Sequence, residues 1–234
     1  MVQDPFAEGR LLLPQTPPEA VQAAGDGLSW VASLLAALSV LLFLVALRSF
    51  LSILPYLSDS LFRARGSAAL ESSVRVSRDR NNVAAVLLLP AILLIYRYRL
   101  FDIALFGTLS PDGRLLAVAG VFLGFLLVRY VIYLWLRPRR RSEEYQTAYR
   151  MGYTLFIFLM AVALLTVGIL HFTGASDLTV KSFLLAEAGV GFLVNLFRRG
   201  HFLSAFCNPL TTFLYLCALE LLPAALLVVP AAVL

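Results

Sequence analysis

The chain has 234 residues, 60% of them hydrophobic and 14% charged, with a net charge of +5 and a mean hydropathy of +0.85. A soluble domain carries about 45–50% apolar and ~25% charged residues, so this composition excludes a water-soluble fold and requires lipid or neighbouring membrane helices around the apolar surface. The positive charge does not point to nucleic acid, because the arginines cluster in the gaps between apolar runs and form no basic face interleaved with aromatics.

Residues 1–27 read as an acidic, Pro-rich extracytoplasmic tail. Pro5, Pro14, Pro17 and Pro18 interrupt it, and Asp4, Glu8, Glu19 and Asp26 stand against Arg10 alone. It lacks the basic start and adjoining apolar run of a cleavable signal peptide. Residues 28–234 read as a single transmembrane domain. The first span is predicted at 28–47, starting near Ser29 and Trp30 at headgroup level and closed by Pro55. Residues 56–82 contain Arg63, Arg65, Arg75, Arg78 and Arg80, with apolar residues at three- and four-residue steps. That spacing predicts an amphipathic helix lying on the membrane surface.

The second span is predicted at 83–101, kinked at Pro90. Pro111, Asp112 and Gly113 read as a turn, and the third span follows at 115–136, ending in Tyr130, Tyr133 and Trp135. A basic loop leads to the fourth span at 151–172, and Gly174 to Asp177 form a tight turn into the fifth at 181–197. That fifth run lies near the lower length limit for spanning. The sixth is predicted at 209–229, kinked at Pro223. The fold class is therefore all-α: a polytopic helical membrane protein of about six transmembrane helices plus one cytoplasmic amphipathic surface helix.

Six spans place the loops 48–82, 137–150 and 198–208 on one side. Fourteen Lys and Arg residues then lie on that side and five on the other. The positive-inside rule puts those loops in the cytoplasm and both termini outside, as a multi-pass protein of a bacterial inner membrane. Arg139, Arg140, Arg141, Arg198 and Arg199 are the residues expected to meet anionic lipid headgroups.

An ionisable group at bilayer depth costs roughly 2.5–3.5 kcal/mol even on lenient scales, so each needs a partner or a purpose. At ~1.5 Å per residue, Glu220 lies ~16 Å and Arg129 ~12 Å above the cytoplasmic face, and Glu187 lies ~9 Å below the outer face. Two interhelical ties are predicted: Glu220 with Arg129, and Glu187 with Arg97 or His171. The alternative use of Glu220, Glu187 and Arg129 is a proton or ion path. Gly120 and Gly124 make a small-xxx-small motif for close helix packing, within the chain or with a partner, and Gly189 and Gly191 can serve the same end. Tyr145, Tyr149 and Tyr153 form a helix-spaced packing stripe.

The sequence contains no recognisable active site. It has no HExxH, no GxSxG and no Gly-rich phosphate loop. His171 and His201 fall at opposite faces of the membrane, so no metal or haem pair is expected, and no cofactor is expected. Cys207 and Cys217 are ~15 Å apart on a continuous helix, too far for a disulfide.

The stretch Phe213-Leu-Tyr-Leu-Cys-Ala-Leu-Glu-Leu-Leu-Pro223 resembles the terminal motif of a Bacteroidota family of uncharacterised multi-span inner-membrane proteins, catalogued as a domain of unknown function. Phe192 to Asn195 and Phe202–Leu203 fit the same style. The resemblance covers roughly the last forty residues and marks Tyr215, Cys217, Glu220 and Pro223 as the motif group. It implies a multi-span membrane protein and carries over no catalytic residues. The reading is a non-enzymatic scaffold or accessory subunit of an envelope membrane complex, in contact with other membrane subunits. The alternative is a small proton- or ion-coupled transporter. A lipid-acting enzyme at the cytoplasmic face ranks behind both.

Overall fold

The computed structural model describes residues 30–62, 74–101, 109–136, 142–205 and 208–225, and among these every regular element is helical. They form α1 (Trp30–Phe62), α2 (Val74–Arg97), α3 (Pro111–Leu136), α4 (Ser142–Phe172), α5 (Asp177–Ser204) and α6 (Pro209–Leu216). The last continues through a π turn, Cys217–Leu221, as far as Ala225. Helices α1 to α5 are long and apolar enough to cross a membrane. The last apolar helix is described over Pro209–Ala225, and the rest of the predicted sixth span, 226–229, lies outside the described residues.

The sequence accounts for the turns. Helix α4 ends in a Schellman motif: Ala175 N donates to Leu170 O, Gly174 N donates to His171 O, and Gly174 takes φ +70 between them. Ser176 then caps α5 by accepting from Thr179 N at 3.3 Å. Helix α2 ends in the same geometry, with Leu100 N on Ile95 O and Arg99 N on Tyr96 O. There the left-handed position falls on Arg99, at φ 47. Pro209 begins α6 at a first-turn position, where its missing N–H costs nothing.

Helix α2 sits centrally and packs against α1, α3 and α4. Ile53 and Leu57 of α1, Val83, Leu87 and Ala91 of α2, and Ile157 and Met160 of α4 make one core. A second core joins Tyr133, Ala148, Leu203, Tyr215 and Leu219 from α3 to α6. Only 11% of the apolar stretch of α1, and of α3, is buried, so most of their Leu and Val side chains are left for lipid.

Several predicted boundaries are corrected. Pro55 does not close the first helix, which runs on to Phe62; membrane helices tolerate such a Pro because neighbouring groups satisfy the freed carbonyl. No separate surface helix occupies the described part of 56–82. Residues 56–62 finish α1 and 74–82 begin α2, and Leu57 and Val76 belong to the contact between those two helices. Pro111, Asp112 and Gly113 are the first turn of α3, held by Ser110 Oγ accepting from Gly113 N at 3.2 Å. Residues 142–150 are the start of α4, not a loop. The fifth helix extends beyond 181–197 at both ends, to 28 residues, so its length is no longer marginal. The tail 1–27, Arg63, Arg65, Asp102, Arg137, Arg139, Arg140, Arg141 and Cys207 lie outside the described residues.

Candidate functional site

The polar centre of the molecule is built around Glu220. Its Oε1 accepts from Arg129 Nη2 at 2.7 Å and from Arg199 Nη1, and its Oε2 accepts from Asn195 Nδ2 at 3.1 Å. Arg199 also donates from Nη2 to the Tyr149 carbonyl at 2.9 Å. One carboxylate thus gathers α3, α5 and the π turn, and Arg199 carries the network to α4. The Arg129 guanidinium carbon lies 5.9 Å from the Tyr149 ring centroid, at cation–π range.

Local structure explains how these groups meet. On α5 the buried positions are Val180, Leu184, Gly191, Asn195, Arg199 and Leu203, an inward stripe at steps of four and seven. Asn195 and Arg199, one turn apart on that stripe, therefore face the same carboxylate. Gly152 on α4 leaves the room. A Cβ there would overlap Arg199 Nη2 and sit 3.2 Å from Arg129 Nη2. Around Glu220 the backbone forms a π turn, with Leu222 N donating to Cys217 O, one residue further back than in an α-helix. Pro223 follows directly. It has no N–H to give, and its ring crowds the preceding turn.

The structure brings Arg129 and Glu220 together, as the depth arithmetic predicts, and adds Arg199. That arginine was expected to meet lipid headgroups, yet it is wholly buried, because α5 continues through it and turns it inward. Arg198, its neighbour, is half-buried. The second predicted tie is corrected. Glu187 Oε1 accepts from Thr166 Oγ1 at 2.5 Å, and Glu187 Oε2 is buried without a partner. Arg97 pairs with Asp177 at 3.0 Å, and His171 is exposed. Thr166 lies more than a turn nearer the bilayer centre than His171, which is the depth Glu187 reaches from α5, the other helix of the hairpin. Next to the Arg97–Asp177 pair, burial raises the Tyr98 phenol above its ordinary pKa, with Arg97 opposing the rise and Asp177 adding to it.

Tyr215, Cys217 and Pro223 surround this centre. Tyr215 is buried in the second core, Cys217 opens the π turn, and Pro223 is buried beyond it. Tyr149 stacks on Tyr133 at 4.2 Å and meets Tyr153 edge-on at 5.7 Å. Gly191 is closely packed by Leu159, whereas Gly120, Gly124 and Gly189 have nothing within 4 Å of a built Cβ. Their small faces are open in the monomer. Among the described residues no three His, Cys, Asp or Glu side chains gather as a metal site. Sequence reasoning missed Arg199, Asn195 and Gly152 as one cluster. It also missed Arg80, which is 1% exposed and donates to Ser77 Oγ at 3.3 Å.

Compared with family models, with curated proteins and with solved structures, the chain matches none.

Proposed function

We propose that this chain is a non-enzymatic scaffold or accessory subunit of a bacterial inner-membrane complex, with six spans, its basic loops in the cytoplasm and both termini outside. The observation that carries the reading is the state of Glu220. Both its oxygens are engaged by Arg129, Arg199 and Asn195. Those donors come from α3 and α5, so the carboxylate is taken up in tying helices together, the structural use of a buried polar group in a membrane bundle. The open Gly120–Gly124 ridge on α3, flanked by exposed Leu116, Leu123 and Leu127, suits a further membrane helix. The resemblance at Tyr215, Cys217, Glu220 and Pro223 is in keeping with a multi-span protein of the Bacteroidota cytoplasmic membrane.

A transporter reading draws on one observation, the buried and unpartnered Glu187 Oε2. Affinity purification of the full chain from native membranes separates the two. The scaffold reading expects a partner of fixed stoichiometry that is lost when Gly120 and Gly124 are both changed to Leu. Retention of no partner, together with proton flux in proteoliposomes that Glu187→Gln abolishes, overturns it in favour of transport.

A further inference from the structure

A cavity of about 640 Å³ lies between α2, α3 and α4. That size is in the range of small-molecule and lipid sites, roughly 300–1,000 Å³. Its lining is graded along the helices. Asn81, Gln146, Arg129 and Arg150 are nearer the helix ends that carry the arginines, and Leu88, Phe122 and Phe156 are deeper. The three helices agree in this direction, because residues 81 to 88 run inward on α2, 134 to 122 on α3 and 146 to 156 on α4. At ~1.5 Å per residue the lining extends ~10–18 Å along the helices. Among the described residues no acidic side chain lines the cavity, while Arg129 and Arg150 both do.

The charge balance points the same way. Arg129 and Arg199 share the Glu220 carboxylate, which leaves one positive charge in excess, and Arg129 Nε is buried with no partner. Excess charge at this depth is costly until an anion approaches it. An apolar ligand would leave the excess charge at Arg129 unanswered, and a free anion would leave the Phe-lined end empty. Two guanidinium groups suit the several oxygens of a phosphate.

We propose that this cavity binds one anionic phospholipid drawn from the bilayer, its phosphate at Arg129 and Arg150 and an acyl chain along Ala85, Leu88, Phe122 and Phe156. The site does not depend on whether the chain serves as a scaffold. The test is native mass spectrometry of the full chain, purified in neutral detergent, delipidated and titrated with dioleoylphosphatidylglycerol. One equivalent is expected to bind, at least tenfold more tightly than phosphatidylcholine with the same chains. Ala85→Trp, which fills the apolar part, and Arg150→Gln are each expected to weaken binding tenfold or more. Arg97→Gln, on the exposed pair with Asp177, is expected to leave it unchanged. Equal binding of the two lipids, displacement of the lipid by millimolar inorganic phosphate, or wild-type affinity in both cavity variants overturns the proposal. If Ala85→Trp yields no folded monomer, wild-type affinity in Arg150→Gln alone suffices to overturn it.

Discussion

Replacing Glu220 by Gln removes the charge that Arg129 and Arg199 share while keeping nearly the same shape. Asn195 can still donate to the amide oxygen, but two guanidinium groups then face each other without an anion. Arg199 has no exposed surface and cannot escape to water. Removing one partner of a buried ion pair costs roughly 3–5 kcal/mol, because the remaining charge is uncompensated. An unpaired Arg at bilayer depth, at about 2.5–3.5 kcal/mol, gives a similar figure. The assay is equilibrium unfolding in mixed micelles, raising the fraction of dodecyl sulfate and following helicity by circular dichroism. Glu220→Gln should shift the unfolding equilibrium by roughly a hundredfold or more, at about 1.4 kcal/mol per factor of ten. The triple change Glu220→Leu, Arg199→Met and Arg129→Met should recover much of the loss, since an apolar replacement leaves no charge behind. A loss below about 1 kcal/mol, the value of an exposed pair, refutes the clamp.

Gly152→Ala should cost about 1–3 kcal/mol in the same assay, the usual range for overpacking, because the new methyl meets the Arg199 and Arg129 guanidinium groups. Gly120→Ala and Gly124→Ala, which meet nothing within 4 Å, should leave the isolated monomer unchanged. Thr166→Val removes the hydroxyl that donates to Glu187 and should cost about 0.6 kcal/mol, with ~1.7 as a ceiling for such intramembrane bonds. Arg99→Gly should stabilise the end of α2 by about 1 kcal/mol, since a left-handed conformation strains any residue with a Cβ; an unchanged midpoint counts against that strain. Arg97→Gln should alter stability by less than about 1 kcal/mol and only at low salt, as expected of a pair whose side chains are 44% and 64% exposed.

The sequence makes the spans legible because lipid demands one thing of a helix, an unbroken apolar run. It also makes Arg129 with Glu220 legible, since depth follows from residue counts along two rigid rods. Arg199 was hidden by its neighbours. Arg198-Arg199-Gly200-His201 has the composition of a helix end at the headgroups, and composition does not reveal that α5 passes straight through it. Helical phase does carry the signal: Leu184, Gly191, Asn195 and Arg199 lie on one face, so a small residue, an amide and a guanidinium share the side that packs inward. Proline misled for a similar reason. Pro55 and Pro111, read as a helix end and a turn, are both helical in the structure, one inside a long helix and one opening a first turn. Gly152 gave no sign, because its purpose depends on two arginines from other helices.

The π turn shows why the C-terminal motif works as a unit. In a regular α-helix, Thr212, Tyr215, Leu219 and Pro223 would line one face, and Glu220 would point about 100° away from Leu219. The extra residue in the Cys217–Leu221 turn brings positions five apart into register, so Glu220 joins Tyr215 on the buried side while Leu219 remains there too. Pro223 makes the wider turn the cheaper conformation, because the carbonyls ahead of it lack one donor and must avoid its ring. The proline therefore sets the backbone, the backbone aims the carboxylate, and the carboxylate holds arginines from two other helices. The described part of the last helix is thus anchored to α3 and α5 through one carboxylate.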